Sequence, residues 1–245
     1  MIKINEFWFE FKGIRSTDLH VELTGMPDRP HAASRGEKQP VGGRHGYLWE
    51  PDDLTREIYD DIIVRVPCMT RGTFDIDAIS AWLSGAGDLR FSDEPERIYH
   101  ARVAKEFSRS NKMPRFADQA FTPSFDCFPL RYKRLSAVDA DDWVPPSNGQ
   151  TITNSGTVES EPRITIEGTG DIILTIGSQL VTFDSVSGGI IVDSELGDCF
   201  TLAMDDLLNN KATFDEFPLL APGANIVSWT GSVTKVTIRP RVRYL

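Results

Sequence analysis

Apolar and polar residues alternate along most of this chain, and the alternation predicts strands. It is cleanest between residues 234 and 244. There Val236, Ile238, Val242 and Tyr244 fall on one face, while Lys235, Thr237, Arg239, Arg241 and Arg243 fall on the other. A two-residue period marks a strand buried on one side. Shorter runs of the same kind cover residues 7–11, 20–23, 62–66, 89–92 and 98–103, and Phe alternates with polar residues over 121–129. One helix is predicted, capped by Thr73 or Asp75 and stopped at Gly85. Ile76, Ile79 and Leu83 recur at helical spacing, with Trp82 beside them. Residues 27–46 are rich in Pro, Gly and charge, too polar to bury, and predict a loop or long hairpin arm. Within it, residues 41–46 form a tight turn ahead of the apolar Tyr47-Leu48-Trp49.

Around residue 136 the pattern changes. Residues 137–149 are acidic, then Pro-rich, then turn-forming, and read as a linker. Beyond them, strand-like runs at 163–166, 172–176, 180–183 and 190–193 are separated by Gly-containing turns, with no convincing long helix. This spacing predicts an all-β sandwich. The expected organisation is a mainly β protein: a sandwich-like module over 1–136 with one helix and a projecting arm, a linker over 137–149, and a β-sandwich over 150–245.

Composition fits that picture: 245 residues, 40% of them hydrophobic and 25% charged, are enough for two ordinary cores. No apolar run approaches the roughly 18 residues of a membrane helix, so no membrane insertion is expected. The first residues show neither an apolar signal region nor a cleavage site, which predicts assembly in a cytoplasm. Charge is uneven. Residues 1–135 hold 20 Lys and Arg against 21 Asp and Glu; residues 136–245 hold 6 against 15. The acidic second module is a poor partner for nucleic acid. Lys235, Arg239, Arg241 and Arg243 concentrate on one face of its last strand. They read either as charges guarding or neutralised along a strand, or as a docking stripe for another subunit.

Candidate chemistry is sparse. Cys68, Cys127 and Cys199 have no paired spacing and read as buried free thiols. His20, His31, His45 and His100 share no metal-ligand spacing, there is no G-x-S-x-G elbow, and the turn at 42–46 lacks the Gly-Lys-Ser/Thr of a phosphate loop. Asp139, Asp141 and Asp142 lack the glycine and bidentate glutamate of a calcium loop. The chain therefore reads as non-enzymatic, with no cofactor and no metal.

The final segment, Phe217-Pro218, Pro222-Gly223-Ala224-Asn225, Trp229 with Gly231, and Pro240-Arg241-Val242-Arg243, resembles the end of the distal tail proteins of long-tailed, non-contractile bacteriophages. Further matches follow in order: the opening Phe-x-Phe-x-Gly, Gly43-Arg44-His45-Gly46, Trp82-Leu83 with Gly87-Asp88-Leu89, Phe91-Ser92-Asp93-Glu94-Pro95, Asn154-Ser155-Gly156-Thr157, Glu161-Pro162, Gly168-Thr169-Gly170-Asp171 and Val192-Asp193-Ser194-Glu195. Each is turn chemistry plus strand pattern; their order and spacing carry the resemblance. His45 departs from it, since the family often has Asp there.

The resemblance implies a virion structural hub at the tail tip. Its first module would close a homohexameric ring, and its second would be a galectin-like sandwich. The tail tube protein, the tape-measure protein and the tail-tip protein would be its partners. On this reading the arm supplies interface residues: Gly42, Arg44, His45 and Trp49, a charged tip with an aromatic near its base. The alternative is a virion module that grips a host cell-wall carbohydrate, with Trp229 or Trp143 as the stacking platform.

Overall fold

A computed structural model describes residues 7–52, 56–105, 118–134 and 146–245. Contacts divide the chain into two units, Met1–Arg131 with Leu245, and Tyr132–Tyr244. The division falls between Arg131 and Tyr132. Residues 135–145, most of the expected linker, lie outside the described residues, as do Trp143 and the aspartates 139, 141 and 142.

The first unit is built from β1 (Phe9–Phe11), β2 (Ile14–Arg15), β3 (Val21–Leu23), β4 (Gly36–Pro40), β5 (Tyr47–Pro51), β6 (Ile62–Arg65), β7 (Cys68–Thr70), helix α1 (Ile76–Trp82), β8 (Ala86–Phe91), β9 (Arg97–Lys105), β10 (Ala120–Phe121) and β11 (Ser124–Cys127). The larger sheet orders β2-β1-β8-β9-β11-β6, and a second sheet orders β10-β7-β3. Alternation puts Phe9, Phe11, Val64, Leu89, Phe91 and Phe125 inward, against Val21, Leu23 and Cys68 of the smaller sheet. Helix α1 starts where Asp75 accepts hydrogen bonds from the N–H groups of Asp77 (2.9 Å) and Ala78 (3.2 Å). Its buried Trp82 stacks on Phe9 with ring centroids 5.1 Å apart and donates its indole N–H to the Phe11 carbonyl at 2.8 Å. The ring is packed and its one polar atom is satisfied.

After the short β12 (Arg131–Lys133) at the division, the second unit contains β13 (Gln150–Asn154), β14 (Arg163–Ile176), β15 (Gln179–Val186), β16 (Gly189–Asp193), β17 (Asp198–Phe200), β18 (Ala212–Thr213) and β19 (Gly223–Arg239) in one seven-stranded sheet. Its spine is the antiparallel pair β14–β19. Residues 163–167 of β14 are paired to β16, and residues 170–176 are paired to β15. Both long strands thus pass from one layer of a sandwich to the other, bending where their register shifts between Thr169 and Ile173. Ile164, Ile166, Ile172, Leu174, Ile176, Val181, Phe183, Val192, Val227, Val236 and Ile238 fill the space enclosed.

Gly231 makes the bend possible. It has φ +103°, and a Cβ there would run into the carbonyl oxygen of Asp171 and lie 3.2 Å from the Ile172 Cα. Gly231→Ala is expected to cost about 1–3 kcal/mol. In a thermal melt this unit's transition should fall by roughly 5–15 °C.

The alternation over 234–244 does not make one strand. β19 ends at Arg239, because Pro240 has no N–H to continue the ladder and Arg241 turns with φ +50°. The short β20 (Arg243–Tyr244) follows. As a result Arg241 is half-buried and Arg243 buried, instead of both facing solvent with Lys235.

Candidate functional site

Residues 36–51 stand apart from both sheets of the first unit. β4 and β5 pair only with each other, in the register Gly36↔Pro51, Glu37↔Glu50, Lys38↔Trp49, Gln39↔Leu48 and Pro40↔Tyr47. The expected arm is therefore a hairpin, and its loop is residues 41–46. The Arg44 N–H donates to the Val41 carbonyl at 3.2 Å, and Gly43 and Gly46 take φ of +75° and +86°. Below residue 36 the two legs are tied down. Arg35 N–H donates to the Ile58 carbonyl, Asp60 N–H to the Ala33 carbonyl, and Asp28 and Arg65 exchange both backbone bonds.

One face of the hairpin carries Gly36, Lys38, Pro40, Tyr47, Trp49 and Pro51; the other carries Glu37, Gln39, Leu48 and Glu50. The Trp49 indole lies across Gly36. A Cβ at residue 36 would come within 2.8 Å of the indole Cζ2, so only glycine leaves room for the ring. Gln39 hydrogen-bonds Glu50 on the opposite face. Tyr47 (70%), Leu48 (51%), Trp49 (45%) and Val41 (39%) remain exposed. An isolated two-stranded hairpin is marginal in water. Large apolar side chains grouped on such an element exceed the scattered exposure that is ordinary on a protein surface.

Gly42, Arg44 and His45 all lie exposed in the loop at the tip, and Trp49 lies two residues from the hairpin's base, so the four expected residues share one element. Arg44 makes no ion pair or side-chain hydrogen bond among the described residues. Sequence reading missed Leu48 and Tyr47 as interface candidates. Their signal was present, since three consecutive large apolar residues in a polar stretch are hard to explain by burial.

Of the other expected sites, the cation stripe on the second unit resolves into ion pairs. Lys235 sits 3.8 Å from Glu167 and Arg243 3.1 Å from Glu161, while Arg241 takes Asp193 in a bidentate pair at 2.5 and 2.9 Å and lies 3.2 Å from Glu195. Three of the four cations are thus neutralised within their own unit. Trp229, a candidate sugar platform, is half-buried and packed on the second core. Asn148 clamps its backbone, accepting from the Trp229 N–H at 2.9 Å and donating to its carbonyl at 2.8 Å.

Cys68, Cys127 and Cys199 are buried free thiols, and burial pushes Cys127 up to about 12 and Cys199 up to about 11. Such thiols stay protonated and poorly nucleophilic. Among the described residues no cluster of three or more His, Cys, Asp or Glu could hold a metal ion, and no helix is long and apolar enough to cross a membrane.

No family model matches the sequence, and no curated protein matches it. Solved structures that resemble it in fold include the following two. A chain of the phage p2 baseplate in its activated conformation with Sr aligns with a TM-score of 0.50 and 8% identity, over 95% of this chain and 96% of that one. The SPP1 Dit (gp 19.1) protein, described as a paradigm of hub adsorption apparatus in Gram-positive infecting phages, aligns with a TM-score of 0.71 and 18% identity. That alignment takes in 98% of this chain and 99% of the other, so from one end to the other this polypeptide has the fold of a phage tail hub protein.

Proposed function

We propose that this chain is a structural hub of a long, non-contractile phage tail. In this reading it forms a homohexameric ring that joins the tail tube to the tail-tip, receptor-binding apparatus. The observation that carries it is the likeness in fold to the SPP1 hub protein over 98% of this chain. The order of motifs in the sequence supports the same reading. The tube, tape-measure and tail-tip proteins are its partners, assembly takes place in the host cytoplasm, and the mature location is the virion. The role is architectural and asks no catalysis of the chain.

A ring requires a heterologous contact, in which one patch meets a different patch on the next copy at a fixed rotation. The arm supplies the first patch. Gly42 and its neighbours make a narrow tip, Arg44 and His45 give it polar contacts, and Trp49 with Tyr47 gives an aromatic anchor of the kind that dominates interface energetics. Negative-stain imaging of the purified full-length protein tests this. Annular particles with six-fold symmetry are expected; a field of single, unassembled chains would count against the proposal. The carbohydrate-binding alternative predicts capture on a glycan array, whereas the hub reading predicts none.

A further inference from the structure

The solvent face of the larger sheet in the first unit carries an open groove of about 510 Å³. Ala86 is the small side chain on this face; Gly87 and the buried Ala101, which turns to the core, line it with backbone. Its charged groups follow from the strand register. Asp88 stands opposite His100, with Oδ1 2.8 Å from the imidazole Nδ1, and Arg102 stands opposite Asp126. Asp61, just ahead of β6, completes the lining with Phe128. Three carboxylates thus share an open cleft with one guanidinium and one imidazole, the imidazole already set against Asp88. Lys12 passes close by, its stem against Gly87, but its ammonium is engaged with the Ser84 carbonyl.

We infer that this groove receives the arm tip of a second copy of the chain, with Arg44 set among Asp61, Asp88 and Asp126. The inference rests on the ring reading and names the surface that the arm meets. Three features match. The tip is slim, because residues 42, 43 and 46 are glycines, and the groove is open to solvent between its charged side chains. The tip ends in an uncompensated cation, and the groove holds an excess of carboxylates. A guanidinium's planar fork suits a cleft lined by several carboxylates better than an ammonium would. The two patches are also different surfaces of one unit, as a head-to-tail contact demands. The groove is an anchor within a larger interface, since a stable contact buries more than about 1,000 Å² in total.

A charge swap tests it, read by mass photometry of full-length protein over a concentration series. Arg44→Asp and Asp61→Arg should each raise the concentration needed for assembly at least about tenfold, because each sets like charges against each other. The double variant R44D/D61R should return to within about threefold of the unaltered protein. Asp61 is exposed and its carboxylate makes no hydrogen bond among the described residues, so D61R should melt as the unaltered protein does. If it does not, Asp61→Ala replaces it, with a smaller weakening of about threefold expected. Single variants that assemble normally, or a double variant no better than the worse single, overturn the inference. Excising the arm separates this from the broader reading. If excision abolishes assembly while the charge variants assemble, only the groove assignment falls. If the arm-less protein still assembles, the arm's role falls with it.

Discussion

Excising residues 37–50 and joining Gly36 to Pro51 through a two-residue turn should give a folded protein whose self-association is weakened at least about a hundredfold. Gly36 and Pro51 are direct cross-strand partners, roughly 5 Å apart at their Cα atoms in an antiparallel pair, so a short turn closes the gap without strain. No side chain of the arm belongs to the buried core of Phe9, Phe11, Phe91, Phe125 and Trp82. The melting temperature of the first unit should therefore barely move. A cut taken back to residue 30 would be different. It would remove the backbone pairing of residues 33–35 with residues 58–60, and any loss of assembly could then reflect damage to the fold. The size of the expected effect comes from Tyr47 and Trp49, because buried aromatic anchors cost about 2 kcal/mol or more each when removed from an interface. Sedimentation of the excised and full-length proteins at matched concentrations reads the result. Equal association would remove the arm from the interface.

Arg241→Met should destabilise the second unit by about 3–5 kcal/mol, because it takes the bidentate partner from the buried Asp193 carboxylate and leaves only the Arg163 guanidinium, 3.9 Å away. Asp193 is about 1% exposed; it accepts two hydrogen bonds from Arg241 and one from the Leu196 N–H at 3.2 Å. Burial alone would raise its pKa, but the paired guanidinium outweighs burial and holds it below the ordinary carboxylate value. A carboxylate with a depressed folded pKa contributes stability that is present above its unfolded pKa near 4. That stability is lost as pH falls through the lower folded value. The unaltered protein should accordingly lose stability in this unit as pH falls below about 4. Arg241→Met should already be weak at pH 7 and should respond less to acid, since an unpaired buried carboxylate gains by protonation. Urea titrations at pH 7 and pH 3 check both statements. Double substitution with Asp193→Asn should recover part of the loss by removing the buried charge.

Legibility in the sequence followed the physics of each element. The helix was readable because Asp75, Ile79, Trp82 and Leu83 all pointed to the same segment, and local capping and burial agreed. The sandwich of the second unit was readable from β-branched runs and glycine turns. The arm was readable from the polarity of residues 27–46, but not its bounds: the hairpin is 36–51, and backbone bonds tie residues 28, 33 and 35 to 65, 60 and 58. What could not be read was where strands bend or stop through tertiary contact. Periodicity carried straight through Pro240 and Arg241, although the proline ends the ladder and the arginine turns back to reach Asp193, 48 residues earlier. For the cation stripe, neutralisation was one of the two readings, but the carboxylates that provide it come from other segments and could not be named. The groove around Asp61, Asp88 and Asp126 left no linear signal, since its three carboxylates sit on separate segments and meet only through sheet register.

The central claim is that copies of this chain lock into a closed ring through the first unit. Mass photometry of the purified, unaltered protein across a dilution series addresses it most directly. The account predicts a dominant species near six times 27.4 kDa, giving way to single chains on dilution without a ladder of ever-larger assemblies. A protein that stays at 27.4 kDa at every concentration, or that grows into open-ended filaments, would contradict it.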